Sequence, residues 1–284
     1  MGLSRRGLIL GAVGAVVVAG GAGEYLEVLP GGVQLHRLLG LTGGAGTVPD
    51  VPAATTSVRR FDSAARGRGV NVVTMVPAGA DPATLPVCPV LHGRNNDARG
   101  MITLGLPQFL TAAVRAGVAP LAFVAVDGGD SYWVASTAGD DPQRMLTDEL
   151  PGWLRTLGLA PAPSTVLAVS MGCFGALVYA RATPVHRLSL LSPALFEDWT
   201  DARTVHAFAN EAQWASQEPL RHPAPANLGI WCGREDPFYP AARQLADQAQ
   251  PAVASFPHGQ HDDDFWRRML PLAIQYVGQP LTPG

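Results

Sequence analysis

The chain of 284 residues contains no lysine; all 20 of its basic residues are arginine, and the net charge is −3. With no clustered basic run, it lacks the electrostatic footprint of a nucleic-acid binder. Cysteine is scarce: Cys88, Cys173 and Cys232 allow one disulfide at most, so the fold is not a disulfide scaffold. Their strand-like and turn-like surroundings fit buried thiols equally well. Metal-ligand spacings such as Cys-x-x-Cys and His-Glu-x-x-His are missing, so no metal is expected. Internal repeats and long low-complexity segments are also missing.

Long apolar runs are lacking too. The stretch after Ser4-Arg5-Arg6 is uncharged and Gly/Ala/Val-rich, but at roughly 16 residues it falls short of the ~20 needed to span a membrane. A basic start followed by a short apolar run predicts an export signal over residues 1–23. The adjacent arginines favour the twin-arginine route. No sharp Ala-x-Ala site follows, so retention as an N-terminal anchor, with membrane or cell-envelope association, is the alternative to secretion. A merely disordered terminus would not need the apolar run.

What the chain has in quantity is apolar residues, 47% of the total, enough for one large α/β domain or two small ones. Residues 24–56 read as a Gly/Pro/Thr-rich lead-in with a short helix at 33–39, residues 57–276 as the main domain, and 277–284 as a tail. Strands are predicted at 57–62, 70–76, 87–91, 120–126, 164–169, 187–191, 227–232 and 252–256. Helices are predicted at 105–116, 142–157, 172–183, 237–248 and 262–276. This alternation implies a mostly parallel sheet covered on both faces, with the first two strands as an antiparallel hairpin at one edge. Residues 193–226 lie between two core strands and are a candidate cap.

Such sheets bind ligands at the carboxyl ends of their strands. Residues 166–178 run from an apolar strand through Ser170 into a small-residue helix, the setting of a nucleophile elbow. The usual pattern is Gly-x-Ser-x-Gly; here Ala168 replaces the first glycine and Gly172 keeps the second. The bland alternative for Ser170 is a helix N-cap. Two later strand ends supply Asp236 and His261, giving the chain order serine, acid, histidine. A serine hydroxyl needs such a base, and the base needs a carboxylate to fix its tautomer. Glu235 competes locally with Asp236, as do Glu197 and Asp198 one strand earlier, and His258 competes with His261. Acyl transfer also needs backbone donors for the oxyanion, expected from the N–H groups of Met171 and Arg94. His92 is expected to support that turn, Tyr132 and Trp133 to line a substrate pocket, and Cys173 to be a small buried filler.

The segments Leu91-His-Gly-Arg, Val126-Asp-Gly-Gly-Asp-Ser-Tyr-Trp, Val169-Ser-Met-Gly, Cys232-Gly-Arg-Glu-Asp-Pro-Phe and His261-Asp-x-x-Phe-Trp resemble actinobacterial exported esterases. These belong to the esterase D and mycolyltransferase branch of the α/β-hydrolase superfamily, and the resemblance covers roughly residues 57–276. It implies an α/β-hydrolase fold, a mostly parallel central sheet of about eight strands flanked by helices. It also implies a triad of Ser170, Asp236 and His261, and activity on small-molecule or lipid esters without a cofactor. Relatives have glycine at Ala168 and Cys173, and often Gly-Gly at Asn95-Asn96; larger groups there are expected to narrow the acyl pocket. The resulting expectation is an exported serine esterase that works through an acyl-enzyme and prefers short acyl chains. The alternatives are a cell-envelope acyltransferase of the mycolyltransferase kind and a catalytically inactive hydrolase-fold binding module.

Overall fold

Strands that are apolar at every position have to be covered on both faces. Val87–Leu91, Ala122–Val126 and Leu228–Trp231 are buried along their whole lengths. The structure, a computed structural model, describes residues 36–135, 139–225 and 227–279. The chain divides into two compact units, residues 1–43 and 44–284. In the first, residues 36–38 form the described part of the helix expected at 33–39. The expected export signal and the end of the tail lie outside the described residues. Among those described, no helix is long and apolar enough to cross a membrane.

The second unit follows the expected alternation. In chain order it contains β1 (Thr55–Ser63), β2 (Arg68–Val76), β3 (Val87–Leu91), α1 (Leu106–Arg115), β4 (Ala122–Val126), α2 (Leu150–Thr156) and β5 (Thr165–Val169). It continues with α3 (Met171–Ala182), β6 (Arg187–Leu191), α4 (Glu211–Gln217), β7 (Leu228–Trp231), α5 (Tyr239–Ala249), β8 (Val253–Ser255) and α6 (Asp263–Val277). The strands form one sheet in the order β1-β2-β4-β3-β5-β6-β7-β8. β1 and β2 are the expected antiparallel hairpin, β2 meets β4 antiparallel, and all later pairings are parallel. Pro89 has no N–H to give; it pairs with Val124 on β4, and the pairing of β3 with β5 starts only at Val90.

Side chains alternate across the sheet. Val124 and Val126 join a core built with α2, α3 and α5, while Phe123 and Ala125 join a second core with α1 and α6. The one expected helix that breaks is 142–157. Pro142–Arg144 is α-helical, Met145–Glu149 is a π-helix, and α2 resumes at Leu150. Pro151 explains the break, because its ring cannot donate to, and clashes with, the carbonyl four residues back. Residues 193–226 contain α4 and three single helical turns, at Trp199–Ala202, Arg203–Val205 and Pro219–Arg221.

Candidate active site

β5 ends at Val169 and α3 begins at Met171, which leaves one residue to reverse the chain. That residue, Ser170, has φ 55° and ψ −121°, a left-handed conformation costly for any side chain. The turn is held by Ser170 N–H donating to Leu191 O at 2.8 Å and by Cys173 N–H donating to Ser170 O at 3.0 Å. A Cβ on Gly172 would lie 2.1 Å from Leu91 O, so only glycine lets α3 pack this close to the end of β3. The Ser170 side chain makes no capping hydrogen bond to α3, which removes the N-cap alternative.

The hydroxyl instead lies 2.8 Å from His261 Nε2. His261 Nδ1 lies 2.7 Å from Asp236 Oδ2, and Asp236 Oδ1 accepts the Phe238 N–H at 2.9 Å. The Asp236 side chain is fully buried, while that of His261 is 21% exposed. Phe238 and Trp266 flank the imidazole, with ring centroids 5.2 and 5.3 Å away. Asp262 caps α6 by accepting the Phe265 N–H, and Asp263 and Asp264 stand in its first turn where the helix dipole favours them. That helix start fixes the position of His261 one residue before it. The rivals are placed elsewhere: Glu235 Oε1 lies 2.8 Å from His258 Nδ1, Asp198 caps a helical turn through the Asp201 N–H, and Glu197 is exposed.

A cavity of about 420 Å³ opens at Ser170, within the size range of small-molecule sites. Gly93, Arg94, Asn95, Asn96, Tyr132, Val205, Phe238, His261 and Trp266 are among its walls. Gly93 comes so near that a Cβ there would be 3.1 Å from Ser170 Cβ. His92 braces this turn from behind. The Gly128 N–H donates to its Nε2 at 2.8 Å, which leaves the proton on Nδ1, 2.8 Å from Gly93 O. Burial lowers the His92 pKa, with Gly93 O and the nearby aspartates pulling the other way. The ring is a neutral support for the turn. Met171 directly follows Ser170, and Arg94 follows Gly93, the residue that approaches Ser170 from the loop after β3.

Of the two expected pocket aromatics, Tyr132 lines the cavity and packs against Phe174, Phe196 and Phe208. Trp133 does not line it. Its side chain is fully buried, its ring tilted against that of His92 with centroids 5.1 Å apart, and it donates from Nε1 to His92 O at 3.2 Å. The expected narrowing also divides. Ala168 and Cys173 are buried away from the cavity, and Cys173 Sγ donates to Ala168 O at 3.3 Å and Leu191 O at 3.4 Å. Asn95 and Asn96 do line it, and Asn95 takes φ 57°, which asparagine tolerates almost as glycine does. All three cysteines are free and buried; burial pushes Cys88 up to about 12 and Cys173 and Cys232 well upward, so none is a competing thiolate.

Two acids not singled out from sequence knit the loops together. Asp127 accepts the N–H groups of Asn71 and Ala98, and Asp130 Oδ1 accepts the Asn95 N–H at 2.6 Å. The signal was present in Asp127-Gly-Gly-Asp130, an acid at either end of a glycine turn.

No family model matches the chain. No curated protein matches it either. Solved structures do. A ferulic acid esterase superposes with a TM-score of 0.68 at 14% identity, over 80% of this chain and 99% of that one. An S-formylglutathione hydrolase from Agrobacterium tumefaciens gives 0.65 at 16% identity, over 84% and 99%. Mycobacterium tuberculosis MPT51 (FbpC1) gives 0.61 at 18% identity, over 80% and 99%. Likeness at this level of identity speaks for architecture, and with the strand order above it shows that the chain has the α/β-hydrolase fold.

Proposed function

We propose that the protein is a serine esterase that hydrolyses carboxylic esters through an acyl-enzyme. The observation that carries this reading is the unbroken line of hydrogen bonds from Ser170 Oγ through His261 to Asp236, at 2.8 and 2.7 Å, opening on a cavity. Ser170 Oγ attacks the ester carbonyl while His261 Nε2 takes its proton, and Asp236 holds the opposite nitrogen and stabilises the imidazolium. The Met171 and Arg94 N–H groups receive the oxyanion. His261 then gives the proton to the leaving alcohol, and water repeats the sequence to release the acid. The structural neighbours support the reading; they include esterases and a fluorophosphonate-binding serine hydrolase of Staphylococcus aureus. Transfer to a second alcohol uses the same acyl-enzyme, and product analysis with and without added sugar separates the two outcomes.

A fluorophosphonate probe tests the assignment. Wild type is expected to be labelled and Ser170→Ala not; folded wild type that stays unlabelled would sink it. A series of p-nitrophenyl esters of rising chain length then measures the pocket, with short chains expected to react fastest. The basic-then-apolar residues 1–23 support export by the twin-arginine route, to the medium or to an envelope anchor. The mass of the exported protein tests this.

A further inference from the structure

The cavity at Ser170 has an unbalanced charge on its wall. Its charged side chains are Arg94 and Asp263, and His261 is already engaged with Asp236. Asp263 is paired with Arg267 at 3.2 Å. Arg94 is exposed, and among the described residues no hydrogen bond or ion pair holds its guanidinium.

Arg94 also faces a second cavity, of about 330 Å³, whose walls include Arg66, Arg68, Asp130, Asp140 and His206. Val205 and Arg94 belong to both, so the two cavities adjoin there. The acids of the second cavity are already committed. Asp140 gives one oxygen to Arg66 and the other to Arg68. Asp130 takes the Asn95 N–H. Arg66 is further held by Asp127 O at 2.7 Å. Three guanidinium groups thus face two carboxylates, and among the described residues Arg94 is the one of the three that no carboxylate pairs with.

We propose that the ester cleaved at Ser170 carries a carboxylate, and that Arg94 recognises it where the two cavities join. The inference rests on the reading of function above and narrows its substrate class. A guanidinium presents parallel donors that match the two oxygens of a carboxylate, and the match strengthens when a ligand displaces water from the cavity. Arg94 follows Gly93, where a Cβ would lie 3.1 Å from Ser170 Cβ, so the anion would lie a few atoms from the scissile carbonyl.

Two matched pairs of esters test it. One places the charge on the acyl side: p-nitrophenyl hydrogen succinate against its methyl-capped, neutral form. The other places it on the alcohol side: p-acetoxybenzoate against its methyl ester. In one of the pairs, kcat/KM for the anionic member is expected to exceed the neutral member by about tenfold or more, the worth of one good charged hydrogen bond. High salt should shrink that ratio. Arg94→Gln should bring it to about one and Arg94→Lys should restore part of it, since lysine keeps the charge without the fork. Ratios within about twofold in both pairs, or a preference that survives Arg94→Gln, overturn the inference, while labelling of wild type by the fluorophosphonate probe keeps the serine-esterase reading standing. Absence of any turnover together with absence of fluorophosphonate labelling overturns the function itself, and this inference with it.

Discussion

Among the described residues two carboxylate–histidine pairs lie side by side, and the imidazole of one of them lies 2.8 Å from a serine hydroxyl. The loop after β7 carries Glu235 and Asp236, and the loop after β8 carries His258 and His261. Arg234 N–H donates to Pro257 O and Glu235 N–H to Gly259 O, so the loops run in register, and neighbouring acids meet histidines three residues apart. The pairs look alike: 2.8 Å for Glu235–His258, 2.7 Å for Asp236–His261, with both carboxylates buried. What differs is the far side of each imidazole. His261 meets Ser170 Oγ and is flanked by Phe238 and Trp266, whereas the His258 side chain is 37% exposed. Glu235 spends its second oxygen on the Gly259 N–H, within the loop itself. A buried carboxylate–imidazole pair becomes a proton relay only when a nucleophile stands beyond it; otherwise it fastens a loop.

The largest effect should come from cutting the line at its reacting end. Ser170→Ala and His261→Ala are each expected to lower kcat/KM for p-nitrophenyl acetate by about 10⁴-fold or more, and the double variant no further, because the residues act as one unit. Additive losses would mean that the two work separately. Asp236→Asn comes next, at about 10³- to 10⁴-fold. Asparagine can keep the Phe238 N–H bond through its oxygen, but it then offers an amide N–H to His261 Nδ1. The imidazole proton is forced onto Nε2, facing Ser170, and the base is blocked. Steady-state rates with circular dichroism as a fold check measure all three.

A third buried carboxylate, Glu218, sharpens the contrast because among the described residues it is hydrogen-bonded to no histidine. Glu218 accepts the Phe196 and Leu220 N–H groups and the Trp214 indole N–H. Burial raises its pKa from 4.5 to about 7, with those hydrogen bonds and the Arg181 charge pulling it partly back. Below pH 4.5 the group is neutral in both folded and unfolded chains and costs nothing. As pH rises towards about 7 the unfolded chain ionises first, so this contribution to stability is lost over that window and stays lost above it. The loss is on the order of 3 kcal/mol, at about 1.4 kcal/mol per pKa unit. Urea unfolding at a series of pH values should show this slope in wild type and not in Glu218→Gln; parallel curves would mean that the carboxyl ionises freely.

The parts legible in the sequence were those written in local pattern. All eight strands appear where the sequence placed them, β3, β4, β5 and β7 as buried apolar runs and β1 and β8 as partly exposed edges, and Asp262-Asp263-Asp264 announced the start of α6. The elbow was legible despite Ala168, because the close approach depends on Gly172, whose missing Cβ faces Leu91 O. What sequence hid was direction. Tyr132 and Trp133 are adjacent and both have positive φ, yet one lines the cavity and the other is buried beneath it, a difference set by the bracing of His92. Asn95 and Cys173 were equal as substitutions for glycine, yet Asn95 lines the cavity from the loop after β3 and Cys173 is buried in α3. The π-helix at Met145–Glu149 was signalled by Pro151, but a helical pattern with one proline does not say whether it will bend, break or bulge.

The smallest expected effect is the one most able to break the opening comparison. Glu235→Gln keeps an acceptor for the Gly259 N–H and loses the charge that faces His258; His258→Ala removes the partner altogether. If this pair only fastens the loop, each substitution costs about 1–2 kcal/mol of stability, a fall in Tm of a few degrees. Activity should then drop by less than about tenfold, through slight displacement of His261. The pH dependence of kcat should keep its shape, since no titrating group of the relay has changed. A loss near that of Asp236→Asn in a folded protein would show that His258 shares the proton path, and the two pairs would then have to be treated as one four-residue network. Unchanged Tm with unchanged activity would break the comparison from the other side, because it would leave a buried glutamate and its histidine holding nothing.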